Sequence, residues 1–407
     1  MQRTTRSLGW GATLAALLAT AACNNENLNP ATKTLADPLF ERVVSMGNSL
    51  TAGFQSGGIN DSTQLQGYAV LLARQMGTNF FSPLMTRPGC PPPYVNVFAG
   101  TRVGGGTGST CLGRAPQPVA PPYINNTAVP GAAVIDPNTN FDTLSNANAL
   151  TTFFLGGLNQ VEMMQKVNPT FVTTWIGNND VLGAATDPTN GGDTTEITPL
   201  NAFKAQYTAT LDAIDKTPAK GKGVLIGVSD VAAIPFFSYG VVYFGAYVGG
   251  ELPPKLTVSA DCAPSGLGGI GDTTLVPFPY GATLLGEAQA GIADTLDCLD
   301  PHNIEPAELA FIHATVASYN TFIAGEAASR GYAYLDPNPA LFALKADTSK
   351  VAIFPKFPPD PASTTAPFGT AFSRDGIHPS AATHKLIANT LIQVIDSAYG
   401  TTLPQIP

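Results

Sequence analysis

The chain has 407 residues, 44% hydrophobic and only 12% charged, which excludes a disordered protein and allows one large domain or two ordinary ones. A formal net charge of −9 excludes a nucleic-acid partner, which needs a basic face. The low charge, with 41 Gly and 35 Pro, argues for long ordered loops rather than a helical bundle.

Arg3 and Arg6 open the chain, and Leu8 to Thr20 is an apolar run too short to span a bilayer. Thr20-Ala21-Ala22 then precedes Cys23, a pattern that resembles the bacterial lipobox, where the thiol is acylated and the chain is cut just before it. Thr20 stands where that motif usually has Leu, so an ordinary signal cut stays open. Residues 1–22 are expected to be a lipoprotein-type signal peptide, 23–40 a polar tether and 41–407 the folded body. The expected location is the bacterial cell envelope, outer membrane or periplasmic face, with lipid on Cys23 as the membrane attachment. Without acylation the protein would be secreted.

The body alternates short apolar runs with amphipathic stretches, the α/β signal. Strands are expected at Arg42–Met46, Phe171–Ile176, Val224–Val228 and Tyr332–Leu335, and their near-continuous apolarity predicts a parallel sheet covered on both faces. Helical spacing predicts helices over Tyr68–Met76, Leu158–Val167, Leu200–Ile214, Ala307–Ser329 and Ala381–Ala398. In the last, Leu386, Ile387, Leu391, Val394 and Ile395 form one stripe, read as core.

Insertions near 83–128, 239–301 and 340–372 fit no simple α/β unit and are expected to be long ordered loops shaping a binding surface. Phe236, Phe237, Tyr239, Tyr243 and Phe244 begin the second one, either as an apolar lid or as its core. With Cys23 set aside, four cysteines remain in two local pairs, and an oxidising compartment predicts Cys90–Cys111 and Cys262–Cys298. Each closure would contribute about 2–4 kcal/mol. The spacings contain no CxxC, so no zinc site is expected.

Four short motifs carry chemistry. Gly47-Asn48-Ser49-Leu50 follows the first strand, and Asn126-Thr127-Ala128-Val129-Pro130-Gly131-Ala132 comes next. Gly177-Asn178-Asn179-Asp180 follows the second strand, and Asp375-Gly376-Ile377-His378-Pro379 precedes the last helix. Ligands bind where the strands of an open parallel sheet end, so these motifs are expected to share one cleft. Serine is a poor nucleophile until a base takes its proton, and His378 is the natural base for Ser49. Asp375, three residues away across a turn, would fix the imidazole tautomer and stabilise the imidazolium. Attack on an ester carbonyl creates an oxyanion, for which Ser49 N–H, Gly131 N–H and the Asn179 amide are candidate donors.

Together these motifs resemble blocks I, II, III and V of the SGNH (GDSL-like) hydrolase family, and they span Gly47 to His378. The resemblance implies a flavodoxin-like three-layer α/β/α sandwich, a catalytic Ser49, Asp375 and His378, an oxyanion hole of Ser49, Gly131 and Asn179, and no metal or organic cofactor. It departs at Asn48, where the family name has Asp; the amide keeps the hydrogen-bonding shape and drops the charge. The implied protein is a carboxylic ester hydrolase acting on a small-molecule, lipid or polysaccharide ester through an acyl-serine intermediate; separately, a monomer is expected. The alternatives are a non-catalytic glycan- or lipid-binding lipoprotein on the same scaffold, and an acyltransferase using the same residues.

Each motif taken alone has a plainer reading. Gly-x-Ser-Leu and Gly-x-Asn-Asp suit ordinary turns, and Asp375 or Ser380 would suit a helix cap. Gly266-Leu267-Gly268-Gly269-Ile270-Gly271 matches a dinucleotide fingerprint in letters only, since no strand precedes it and Thr273–Pro279 is no helix. His313 and His384 read as packing or surface residues, His302 as a loop residue, Asp180 as a turn carboxylate, and Ser229-Asp230 as a possible pocket edge.

Overall fold

The computed structural model describes residues 37–108, 113–115, 123–146, 148–352, 354 and 365–407. The expected signal segment, Cys23, the tether up to residue 36 and Cys111 lie outside the described residues. At the near end of the expected tether, Phe40 is buried edge-on against Phe171 and so belongs to the core.

The centre is a parallel sheet of β1 (Val43–Gly47), β2 (Phe171–Trp175), β3 (Gly223–Ile226) and β4 (Ala333–Leu335), adjacent in that order. Residues 125–129 extend it along the outer edge of β1. There Ser45 N–H donates to Asn125 O at 3.0 Å, Thr127 N–H to Ser45 O at 2.9 Å and Val129 N–H to Gly47 O at 3.2 Å. Counting that segment, the spatial order is 2-1-3-4-5 in chain order, the flavodoxin-like arrangement.

Strand residues bury alternately to the two faces, the period of two that sets a three-layer packing. Val43, Phe171, Trp175, Val224 and Ile226 face α1 (Tyr68–Gln75) and the last helix, α7 (Ala381–Tyr399). Val44, Met46, Val172 and Leu225 face the opposite layer, formed by α2 (Gln160–Val167), α4 (Leu200–Ile214) and the 25-residue α5 (Pro306–Arg330). Between them in sequence, α3 (Asn179–Ala185) follows β2, and α6 (Asn338–Ala346) follows β4.

The second insertion departs from the loop that its composition suggests. It holds an antiparallel pair, Phe237–Tyr239 with Leu275–Pro277, and a parallel pair, Leu256–Val258 with Asp294–Leu296. Helices Gly240–Val248 and Phe278–Gln289 complete it, around a core that includes Tyr243, Val276, Leu284 and Leu296. A Cys262–Cys298 disulfide with both sulfurs buried closes this unit. Tyr243 is buried in this core and Phe237 in the main one, with Phe236, Tyr239 and Phe244 partly buried against them, so the aromatic stretch packs as core. No helix among the described residues is long and apolar enough to cross a membrane.

Candidate active site

β1 ends at Gly47, whose φ of +153° and crowded surroundings explain the residue type. A Cβ there would lie 2.4 Å from Trp175 O and 2.6 Å from Thr51 Oγ1. Gln160, buried in α2, clamps this turn at both ends of the peptide: Gly47 N–H donates to its Oε1 at 2.9 Å and its Nε2 donates to Gly47 O at 2.8 Å. The chain then enters a one-turn helix, Ser49–Ala52, capped by Asn48, whose side-chain oxygen accepts from Leu50 N–H at 3.1 Å. The cap function needs only an oxygen acceptor, which is why Asn serves at this position. Ser49 therefore stands at the first helical position, at the carboxyl end of the sheet.

His378 arrives on a tight turn before α7. Its Nε2 lies 2.9 Å from Ser49 Oγ and its Nδ1 lies 2.8 Å from Asp375 Oδ2. All three residues are at most 9% exposed. Ser380, not Asp375, caps α7, accepting from Thr383 N–H, which leaves the Asp375 carboxylate for the imidazole. That carboxylate also accepts from Gly57 N–H at 2.6 Å, Ile377 N–H and His378 N–H at 2.9 Å each, and Ser373 Oγ–H at 3.0 Å. Burial by itself would raise its pKa, but the His378 charge and these donors outweigh burial and hold the carboxyl at about 2. Asp375 is thus anionic and fixed beneath a base aimed at Ser49.

The other two motifs meet beside this chain. Asn126 ties its segment to the Ser49 turn, donating from Nδ2 to Thr51 O at 3.0 Å. Gly131 follows with φ +87°, a left-handed conformation that suits glycine. Its neighbour Ala132 accepts from Asn179 Nδ2 at 2.8 Å, which fixes that amide while leaving it a second N–H. Ser49, Asn179 and His378 line one cleft, together with Asn178 and Ser229. Gly131 and Asp375 are not in its lining; Gly131 is joined to it through Ala132, which holds Asn179, and Asp375 through His378. Neither Ser49 N–H nor Gly131 N–H donates a hydrogen bond among the described residues.

The cleft is open to solvent and mainly apolar. Leu386, read from sequence as core, is exposed and lines it instead, while Ile387 lines it and also packs against the core, and Leu391 and Ile395 of the same stripe are buried. The remaining histidines are accounted for elsewhere. His384 is buried, accepts from Tyr68 N–H at 3.3 Å, and burial lowers its pKa to about 3, so it packs as a neutral ring. His313 pairs with Asp230 at 2.7 Å, a hydrogen bond that raises its pKa, and His302 pairs with Asp300 at 2.6 Å. Asp180 accepts from Val134 N–H at 2.9 Å, and burial pushes its carboxyl up to about 7. It tethers the two motif segments to each other. Asp261, Cys262 and Cys298 approach one another as metal ligands would, but the disulfide occupies both sulfurs.

No protein-family model matches the chain, and no curated protein matches it. Among solved structures it is similar to an extracellular lipase from Streptomyces rimosus, at 16% identity and a TM-score of 0.37, over 88% of this chain and 98% of that one. It is also similar to a catalytic mutant of an acetylxylan esterase from Geobacillus stearothermophilus, at 12% identity and a TM-score of 0.37, over 87% of this chain and 94% of that one.

Residues without a motif complete the site. Ser56, Gly57 and Ser373 brace the Asp375 turn, and Gln160 clamps Gly47. The glycine at 57 and the polar side chain of Gln160 on an otherwise helical face were the available signals, and neither names its partner.

Proposed function

We propose that this protein hydrolyses carboxylic esters through an acyl-Ser49 intermediate. The single observation that carries the reading is the continuous chain Asp375–His378–Ser49, with heavy-atom separations of 2.8 and 2.9 Å, at the wall of an apolar cleft. Ser49 Oγ attacks the ester carbonyl as His378 Nε2 takes its proton. The negative charge on the carbonyl oxygen is met by Ser49 N–H, Gly131 N–H and the second N–H of Asn179. Collapse of the adduct breaks the ester bond, and His378 returns the proton to the departing alkoxide. Water, deprotonated by His378, then attacks the acyl carbon and regenerates Ser49. The Cys262–Cys298 disulfide supports export to an oxidising compartment, where lipid on Cys23 would hold the enzyme at the envelope.

The test is labelling and turnover together. A fluorophosphonate probe should label Ser49 in the folded protein, and Ser49→Ala should lower kcat for a p-nitrophenyl ester by at least about 10⁴-fold. Undiminished turnover in that variant, with an unchanged melting temperature, overturns the assignment. Labelling without release of free acid in water, but with product when an alcohol is supplied, would reassign the second step to acyl transfer.

A further inference from the structure

Away from Ser49 the cleft continues as a channel between two helices. On α7, Thr383, Leu386, Ile387 and Thr390 line it at three- and four-residue steps, one stripe of the helix. On α6, Ala340, Leu341 and Leu344 line it with the same spacing, and Pro337 just before that helix continues the row. Trp175 and Leu335, the last residues of β2 and β4, are also in the lining.

These walls are left open in an unusual way. No residue of α6 is fully buried, Leu341 and Leu344 being only partly covered by the core, and Leu386 on α7 is 51% exposed. Beyond the Ser49 end, the polar residues in the lining are Ser229, Asp336, Thr383 and Thr390. A sugar ring, with hydroxyls on every side, would leave its polar groups unpaired against such walls. An aliphatic chain would cover them and gain from leaving water.

We infer that this channel binds the acyl chain of the substrate, so that medium-length aliphatic esters are preferred over acetyl esters. The inference rests on the ester-hydrolase reading above for its orientation, because the chain must enter with its carbonyl at Ser49. The channel also sets a length. Thr383 to Thr390 spans about 10 Å along α7. An extended chain advances about 1.2 Å per bond, as a polypeptide backbone does. The stripe therefore matches about eight bonds, an octanoyl group with its bond to Ser49 Oγ included.

A series of p-nitrophenyl esters from acetate to palmitate tests this. In the wild type kcat/KM should climb from acetate to octanoate, by up to about fourfold for each fully buried methylene, and level off beyond. Leu344→Trp and Leu386→Trp fill the channel from opposite walls. Each should lower the octanoate-to-acetate ratio of kcat/KM by about tenfold or more. A ratio is insensitive to the fraction of protein that folds, so partial misfolding does not imitate the result. A flat or acetate-favouring profile in a wild type that hydrolyses esters overturns the acyl-chain assignment and leaves the hydrolase reading intact. Should no ester turn over, the hydrolase reading fails by itself, and a dansylated fatty acid decides the channel. Saturable binding that octanoate displaces supports an alkyl-chain site, and absence of binding overturns it.

Discussion

Gly57 donates its backbone N–H to Asp375 Oδ2 at 2.6 Å, across 318 residues of sequence. Beside it, Ser56 N–H donates to Ser373 Oγ at 2.7 Å and Ser56 Oγ accepts from Arg374 N–H at 3.1 Å. The loop that leaves the Ser49 helix therefore sets the turn that carries Asp375 and His378. Both loop residues hold positive φ, +55° at Ser56 and +64° at Gly57. A Cβ on Gly57 would lie 2.5 and 2.7 Å from two atoms of the Tyr94 ring. Gly57→Ala should thus displace the loop, lower kcat by about tenfold or more and reduce stability by about 1–2 kcal/mol. Gly100→Ala is the control, since Gly100 has φ +63° and open space where a Cβ would sit. It should carry the backbone strain without the loss of turnover. Equal kcat values for the two variants, from steady-state kinetics, would refute the bracing role.

Asp375 predicts an acid limit to stability. Its carboxyl is held at about 2 in the folded protein against an ordinary value of 3.8. Between those values the unfolded chain binds more protons than the folded one, so stability rises with pH there. The contribution is fully present above about pH 4 and is lost as pH falls toward 2. Its size is about 2 kcal/mol, at 1.36 kcal/mol per pKa unit. Denaturant titrations from pH 2 to 6 should show Asp375→Asn losing this part of the slope. The same variant should lose kcat by on the order of 10⁴-fold at neutral pH, because the imidazole loses its tautomer-fixing partner. Parallel stability curves for wild type and variant would contradict the linkage.

Asp180 predicts the opposite slope in a neighbouring window. Burial pushes its carboxyl up to about 7. Between about pH 4 and 7 the folded state therefore binds the extra proton, and stability falls as pH rises through that range. Asp180→Asn keeps an oxygen acceptor for Val134 N–H and removes the ionisation. The difference in unfolding free energy between wild type and variant should change by up to about 4 kcal/mol from pH 4 to 8, in favour of the variant at high pH. Chemical denaturation at both pH values measures it, and a pH-independent difference would show that the buried group does not titrate there.

The four sheet strands and five main helices were legible because their apolar spacing repeats over enough residues to define a face. Leu200–Ile214 matches its expected bounds, and α7 differs by one residue at its end. That Ser49, His378 and Asp375 meet was legible because the chemistry proposed for them restricts the residue types and two of the motifs sit at strand ends. The insertion at 239–301 was not, because its strands are three residues long and its Gly and Pro content resembles a loop. Leu386 was read as core because spacing identifies an apolar face without saying what covers each residue of it. Gln160 holds Gly47 by two hydrogen bonds and Gly57 holds Asp375 by one, all between residues far apart in sequence, for which no local pattern exists.

Asn179 is where the proposed oxyanion hole is most open to test. Its Nδ2 donates to Ala132 O at 2.8 Å, so the amide is already oriented before any substrate arrives. An amide nitrogen has a second N–H, and the residue lines the cleft beside Ser49 and His378. If that N–H meets the developing oxyanion, its worth appears only in the transition state. Asn179→Ala should then lower kcat by about 10²- to 10³-fold with little change in KM. Asn179→Asp separates donation from packing, since a carboxylate of the same shape has no N–H to offer and repels the oxyanion. It should be at least as impaired as the alanine variant. A large rise in KM with kcat preserved would instead make Asn179 a ground-state binding residue and leave the oxyanion to the backbone N–H groups of Ser49 and Gly131.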